Sequence, residues 1–200
     1  MNIQKIFFLN KFCVFREERQ YLHSTDIFNQ LKHFFKNKKI KNFEIIFKKK
    51  ITNYPYLIIS SNPNFKIKNT YYISLSYTKN NKKYFGYIYQ SRNKIFLTKK
   101  YNEKKFQEKI KFTKKSIFIP NNTNFDFIQR ITSGAMKFLK DKNTMNNRGK
   151  WYLVRLKVKH FIKLDNKNFI KINSLKSKEN ANFFSIYYKK KIGEMLFLKK

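Results

Sequence analysis

Lysine and arginine outnumber aspartate and glutamate by 46 to 11 over 200 residues, so any fold this chain adopts must hold a formal charge of +35 outside its interior. Interior material is restricted too. There are 23 Phe and 13 Tyr but only 4 Gly and 3 Pro, which leaves Phe, Ile and Tyr to build the core. Lys, Asn, Phe, Ile and Tyr are also the residues of AT-rich codons, so mutational bias accounts for the choice of Lys over Arg. It does not account for the scarcity of acids, whose codons such a gene retains. The imbalance therefore reads as functional and points to a polyanion, with RNA the best fit.

Length and an apolar fraction of 42% allow one domain or two small ones. Cys13 stands alone, so no internal disulfide or thiolate metal site is expected, and His23, His33 and His160 are too dispersed for a ligand set. No metal and no cofactor are implied. Apolar runs such as 6–9 and 195–198 fall far short of a membrane span. The first fifteen residues lack the features of a targeting segment. With the codon bias, this places the protein in an organelle that encodes it: the mitochondrial matrix, with a plastid or an endosymbiont cytoplasm as alternatives.

Apolar residues Ile3, Ile6, Phe7, Phe12 and Cys13 predict a first helix over 3–15. Ser24, Thr25 and Asp26 offer N-caps for a second, whose stripe is Ile27, Phe28, Leu31, Phe34 and Phe35. Alternation predicts a strand at 43–47, and a hairpin from 71–77 and 84–89 about a polar turn. Further strands are expected at 95–98, 116–119, 125–132, 151–159, 169–172 and 183–188, with a short helix at 135–140. In 151–159, Tyr152, Val154, Leu156 and Val158 share one face, and Arg155, Lys157 and Lys159 share the other. A basic row without compensating acids reads as a phosphate-contacting face.

Catalytic signatures are absent from the text. There is no Gly-rich phosphate loop, Ser-His-Asp spacing or His-Glu-x-x-His, and Glu17, Glu18 and Glu194 read as members of local ion pairs. The chain is not expected to be an enzyme, and no small-molecule substrate is expected.

Several pieces resemble the universal small-subunit ribosomal protein eight family. The segments 8–14, 20–22, 24–35 and 39–45 stand where that family has helix, strand, helix and strand. Ile73-Ser74-Leu75-Ser76-Tyr77 and Gln90-Ser91-Arg92-Asn93-Lys94 stand at its next strand and joint. Ile170-Lys171-Ile172-Asn173-Ser174 resembles the start of its Ser-rich loop, and Lys191-Ile192-Gly193-Glu194-Met195-Leu196-Phe197 its terminal strand. A competing alignment puts the loop at Ile131-Thr132-Ser133-Gly134 and the Gly strand at Arg148-Gly149-Lys150-Trp151.

The resemblance implies an α+β fold of two small subdomains. Residues 1–90 would hold two helices and a mostly antiparallel sheet. Residues 91–200 would form a β-rich subdomain with a short helix and an insertion at about 100–167. It implies a ribosomal structural constituent that binds the central domain of small-subunit rRNA, supports assembly and touches neighbouring ribosomal proteins. RNA contacts are expected from Ser91, Arg92 and Lys94 at the joint, from Arg155, Lys157 and Lys159 on the basic strand, and from Ser174, Lys176, Lys178, Lys191 and Glu194 near the C-terminus. Alternatives are a different organellar ribosomal protein or a basic accessory subunit of a respiratory-chain complex.

Overall fold

Period-two alternation governs most of what forms. The computed structural model describes residues 5–9, 13–16, 20–36, 38–63, 65, 71–100, 108–120, 126–142, 150–160 and 169–199. The architecture is α+β, with antiparallel sheet and two helices among the described residues. The chain divides into two compact units, Met1–Tyr101 and Asn102–Lys200.

In the first unit, β1 (Lys5–Phe8), β3 (Ile40–Phe47), β4 (Asn53–Ser60), β5 (Ile73–Lys79) and β6 (Lys82–Lys94) form an antiparallel sheet in the order β1-β4-β6-β5-β3. The tight turn from β5 to β6 is Asn80-Asn81, both with positive φ (48° and 59°), the geometry that suits a two-residue hairpin and that Asn tolerates. The short β2 (Phe15–Arg16) runs parallel to β7 (Thr98–Lys99). Helix α1 (Ser24–Phe34) lies on one sheet face, where Phe28 meets Phe43 edge-on at 5.8 Å and Phe35, its C-cap, meets Tyr77 at 4.7 Å. Leu31, Phe43, Ile45, Leu57 and Ile73 are buried in this core.

The opposite face is apolar as well. Ile58, Tyr87 and Tyr89 are buried there beneath Tyr56, Phe65, Tyr71 and Phe85, with Tyr56 stacked on Tyr89 at 5.5 Å and Tyr71 edge-on to Tyr87 at 4.8 Å. Lys48 lies over the Tyr71 ring and Lys83 over the Phe85 ring.

In the second unit, β8 (Lys111–Phe112), β9 (Ser116–Ile119), β10 (Trp151–Val158), β11 (Ile170–Lys178), β12 (Ala181–Tyr188) and β13 (Lys190–Lys199) follow the order β10-β13-β12-β11-β9-β8, all antiparallel. Helix α2 (Phe127–Lys142) packs on β9, β10 and β11. A Cβ on its Gly134 would sit 2.6 Å from Ile119 Cδ1, so the missing side chain lets helix and sheet close together. At Gly193 the crowding is against backbone. A Cβ there would lie 2.3 Å from the Lys157 carbonyl oxygen.

The structure corrects two helix–strand assignments. Within 3–15, residues 5–8 form strand β1 paired with β4, so the apolar spacing there does not make a helix. Conversely, the strand expected at 125–132 and the short helix at 135–140 are one helix from 127 to 142, whose buried positions Ile128, Ile131, Ala135, Phe138 and Leu139 follow the helical period. The order of described elements before residue 60 is strand, strand, helix, strand, strand. That differs from the helix, strand, helix order on which the ribosomal resemblance stands. Ser174, placed by that resemblance in a loop, lies within β11 beside a bulge at Leu175.

Candidate functional site

A charged, buried polar cluster surrounds the N-terminus of α1 in the first unit. The chain passes from β2 through a turn at 20–22, tied by Leu22 N–H to the Ile51 carbonyl at 2.8 Å, and enters the helix at His23. His23 is the N-cap. Its backbone is extended and its imidazole Nδ1 accepts from Thr25 N–H at 3.5 Å, so the capping role expected of Ser24, Thr25 or Asp26 falls one residue earlier. This entry brings Arg16 and Asp26, ten residues apart, into a two-pronged pair: Nε donates to Oδ2 and Nη2 to Oδ1, each at 2.7 Å. Both side chains are almost fully buried, Arg16 at 2% exposure and Asp26 at 4%. Lys99 of β7 reaches Asp26 Oδ1 at 3.6 Å from a half-exposed position.

Hydrogen-bond direction is fixed by chemistry at Arg16. A guanidinium only donates, so Thr25 Oγ1 accepts from Arg16 Nη2 at 2.6 Å. Thr25 Oγ1 also meets His23 Nδ1 at 2.9 Å and, with a second lone pair and a proton, serves either tautomer of the ring: it donates to a bare Nδ1 or accepts from Nδ1–H. The Nδ1–H form carries its lone pair on Nε2, which can then take a proton. Deeper in, Gln30 Nε2 donates to Cys13 Sγ at 3.2 Å, and the Cys13 thiol donates to the Leu9 carbonyl at 2.8 Å. Burial pushes the Cys13 pKa up, the Gln30 hydrogen bond opposes that and the Asp26 charge adds to it. Cys13 is therefore held as a thiol, not as a nucleophilic thiolate.

The residues picked from the sequence lie elsewhere. Ser91, Arg92 and Lys94 are at the end of β6, where the Ser91 carbonyl accepts from Asn53 Nδ2 at 2.9 Å and Ser91 Oγ from Asn93 N–H at 3.2 Å. In the second unit, Arg155 and Lys157 project from β10 opposite Leu196 and Glu194 of β13, and Lys159 follows the strand. Lys191 donates to Glu194 Oε1 at 2.5 Å, and Glu194 is held below the usual carboxylate range first by that bond, with help from Lys157 and Arg155. The structure thus gathers Arg155, Lys157, Lys191 and Glu194, and bears out the local ion-pair reading of Glu194; Glu17 and Glu18 lie outside the described residues. Ser174 Oγ bonds Asn182 Oδ1 at 3.2 Å, and Lys176 and Lys178 continue along β11. Among the described residues no group of His, Cys, Asp and Glu could hold a metal ion, and no helix is long and apolar enough to cross a membrane.

Sequence reasoning missed the cluster. Its signal was faint: an Arg followed ten residues later by Asp, with a His at the start of the clearest helical stripe.

No protein family and no curated protein matches the sequence. Solved structures do match. The chain is similar to a monomeric dehydratase domain from a trans-AT polyketide synthase split module, with 8% identity, all of both chains covered and a TM-score of 0.52. A tesB protein of Mycobacterium avium subs paratuberculosis (6% identity, 98% of this chain and 93% of that one, TM-score 0.49) and an acyl-ACP thioesterase of Bacteroides thetaiotaomicron (7%, 100% and 98%, 0.42) also match. The likeness to the dehydratase domain, the one of these three with a TM-score above 0.5, overturns the ribosomal reading with its alternatives and its rRNA and ribosomal-protein partners, and the ribosomal ground for expecting no enzyme and no small-molecule substrate falls with it. The match to the dehydratase domain shows a fold in which each unit sets a helix against antiparallel sheet, the hotdog arrangement.

Proposed function

We propose that this chain is a hotdog-fold enzyme of acyl-thioester chemistry, dehydrating a β-hydroxyacyl group held in thioester linkage. The observation that carries this reading is the fold likeness to a dehydratase domain over the whole of both chains. The cluster at the start of α1 supports it, because it supplies an imidazole held by Thr25, which Arg16 holds in turn.

Dehydration removes a proton from the carbon next to the thioester carbonyl and expels the β-hydroxyl, which leaves as water once it has gained a proton. A double bond forms between the two carbons. In this reading His23, with Nδ1–H donated to Thr25 Oγ1, takes the proton from the carbon on Nε2 and passes it to the departing hydroxyl, and Thr25, Arg16 and Asp26 position the ring. Arg16 and Asp26 fix the Thr25 hydroxyl, and the Thr25 hydroxyl fixes the ring. A thioester carrier ending in phosphopantetheine is anionic, and the charge of +35 favours its approach. The mitochondrial matrix remains the proposed location.

The test is to incubate the full chain with 3-hydroxyacyl pantetheine thioesters and follow enoyl-thioester absorbance, with thiol release read in parallel. His23→Asn keeps a side-chain acceptor for the cap and removes the proton carrier. Loss of turnover in that variant, with an unchanged unfolding curve, is the expected outcome. Thiol release without enoyl formation would move the reading to thioester hydrolysis. Neither product from any chain length would defeat it.

A further inference from the structure

Phe96 and Leu97 are the most exposed large apolar side chains among the described residues of the first unit, at 83% and 61%. They sit side by side in 95–97, between β6 and β7. The segment is anchored on both sides: Ile95 is buried, and the Leu97 carbonyl accepts from Phe15 N–H at 2.8 Å. Two apolar side chains are therefore presented by a backbone already held in place, so little ordering entropy opposes their insertion into another phase. Within four residues of them in the chain, Arg92, Lys94 and Lys100 are exposed cations, while Lys99 reaches toward Asp26. Acids are absent from the surrounding text, with no Asp or Glu between Glu44 and Glu103.

We infer that this Phe96-Leu97 projection, flanked in the chain by Arg92, Lys94 and Lys100, docks the protein on an anionic lipid surface. The two side chains enter the headgroup–acyl boundary while the cations lie at the phosphate level. Charge and apolar surface act on different distances here. The cations draw the protein toward any negative surface within about a Debye length, and only an apolar phase rewards burial of the two side chains. An acidic protein would satisfy the first condition without requiring both side chains to project.

The experiment uses the full chain and vesicles of phosphatidylcholine alone or mixed with phosphatidylglycerol, at physiological ionic strength. Wild type is expected to sediment with the mixed vesicles and not with pure phosphatidylcholine. Phe96→Ser with Leu97→Ser changes only exposed positions, so the fold is kept, and binding should fall by about ten-fold or more. A probe at the same site separates lipid from protein. In the Phe96→Trp variant, emission beyond that of Trp151 should shift to the blue with mixed vesicles and stay unmoved by poly-glutamate in solution. Equal sedimentation of the double-Ser variant and wild type would overturn the inference. So would an equal blue shift with poly-glutamate, which would assign the projection to an acidic protein.

Discussion

Replacing Asp26 by Asn leaves the shape of the cluster nearly intact and removes the one carboxylate it holds among the described residues. Arg16 keeps its charge, stays at 2% exposure and faces an amide whose NH2 donates toward its own donors. Breaking one side of a buried pair of this kind costs about 3–5 kcal/mol, since the remaining charge loses its two-pronged carboxylate partner inside the protein. That is a large share of the roughly 5–15 kcal/mol that holds a typical domain folded. The effect belongs to the first unit, and the chain reports on its units separately: Trp151, the single tryptophan, lies in the second. In a urea titration of D26N, far-UV circular dichroism should therefore show an early transition that Trp151 fluorescence follows only in part. Replacing both partners, Arg16→Met with Asp26→Leu, should cost less than D26N alone, because no charge is then buried. Lys99→Met is the control; its half-exposed contact at 3.6 Å is worth at most about 1 kcal/mol. A loss below about 1 kcal/mol in D26N would refute the argument, because it would mean that water screens the pair as it does on a surface.

Three further outcomes can be checked. Burial, then the neighbouring Tyr84, pushes the Tyr77 phenol up to about 12 from an ordinary 10, so the folded state holds its proton longer than the unfolded chain. Stability should be unaffected by this group below pH 10 and fall by about 2–3 kcal/mol as pH rises through 12, and Tyr77→Phe should flatten that alkaline limb in denaturant midpoints against pH. Gly193→Ala forces a methyl against the Lys157 carbonyl in the β10–β13 ladder and should cost about 1–3 kcal/mol, seen in the Trp151 fluorescence transition. Lys189 holds φ at 63° between β12 and β13, so Lys189→Gly should stabilise by about 1 kcal/mol in the same measurement.

Much of the sheet was legible because alternation is a local property. Residues 43–47, the hairpin on either side of Asn80-Asn81, 116–119 and 183–188 all declared themselves, and so did the stripe of α1; the strand from Trp151 did too, but a bulge between Leu153 and Arg155 puts Leu153, in place of Tyr152 and Val154, on the buried side with Leu156 and Val158. Helix α2 did not, because Phe127, Ile128, Ile131 and Thr132 have strand propensity, and the Ser133-Gly134-Ala135 step that lets it settle on β9 reads as a break. Packing on the sheet outweighed that propensity. At the other end, 5–8 carries too few residues to distinguish a helix from a strand by period, and pairing with β4 decided it. This short segment also lent false support to the ribosomal order of elements. The cluster was illegible for a different reason: Arg16, Asp26, His23 and Gln30 meet only after β2, the turn and α1 have formed. Charge drew attention to Lys-rich strands, while the one deeply buried ion pair found among the described residues lies between residues that look ordinary in the text.

The aromatic layer on the sheet face opposite α1 in the first unit has an electrostatic corollary. Tyr56, Ile58, Phe85, Tyr87 and Tyr89 take the positions of β4 and β6 on that face, so its middle has no room for cations. They are displaced to strand ends and turns, as at Lys48, Lys82, Lys83, Arg92 and Lys94. In the second unit Arg155 and Lys157 stand on the strand face itself, opposite β13. One unit therefore carries its positive potential as a rim around an apolar centre, and the other as a plate. A flat anion would meet the two quite differently, although their sequences look equally basic.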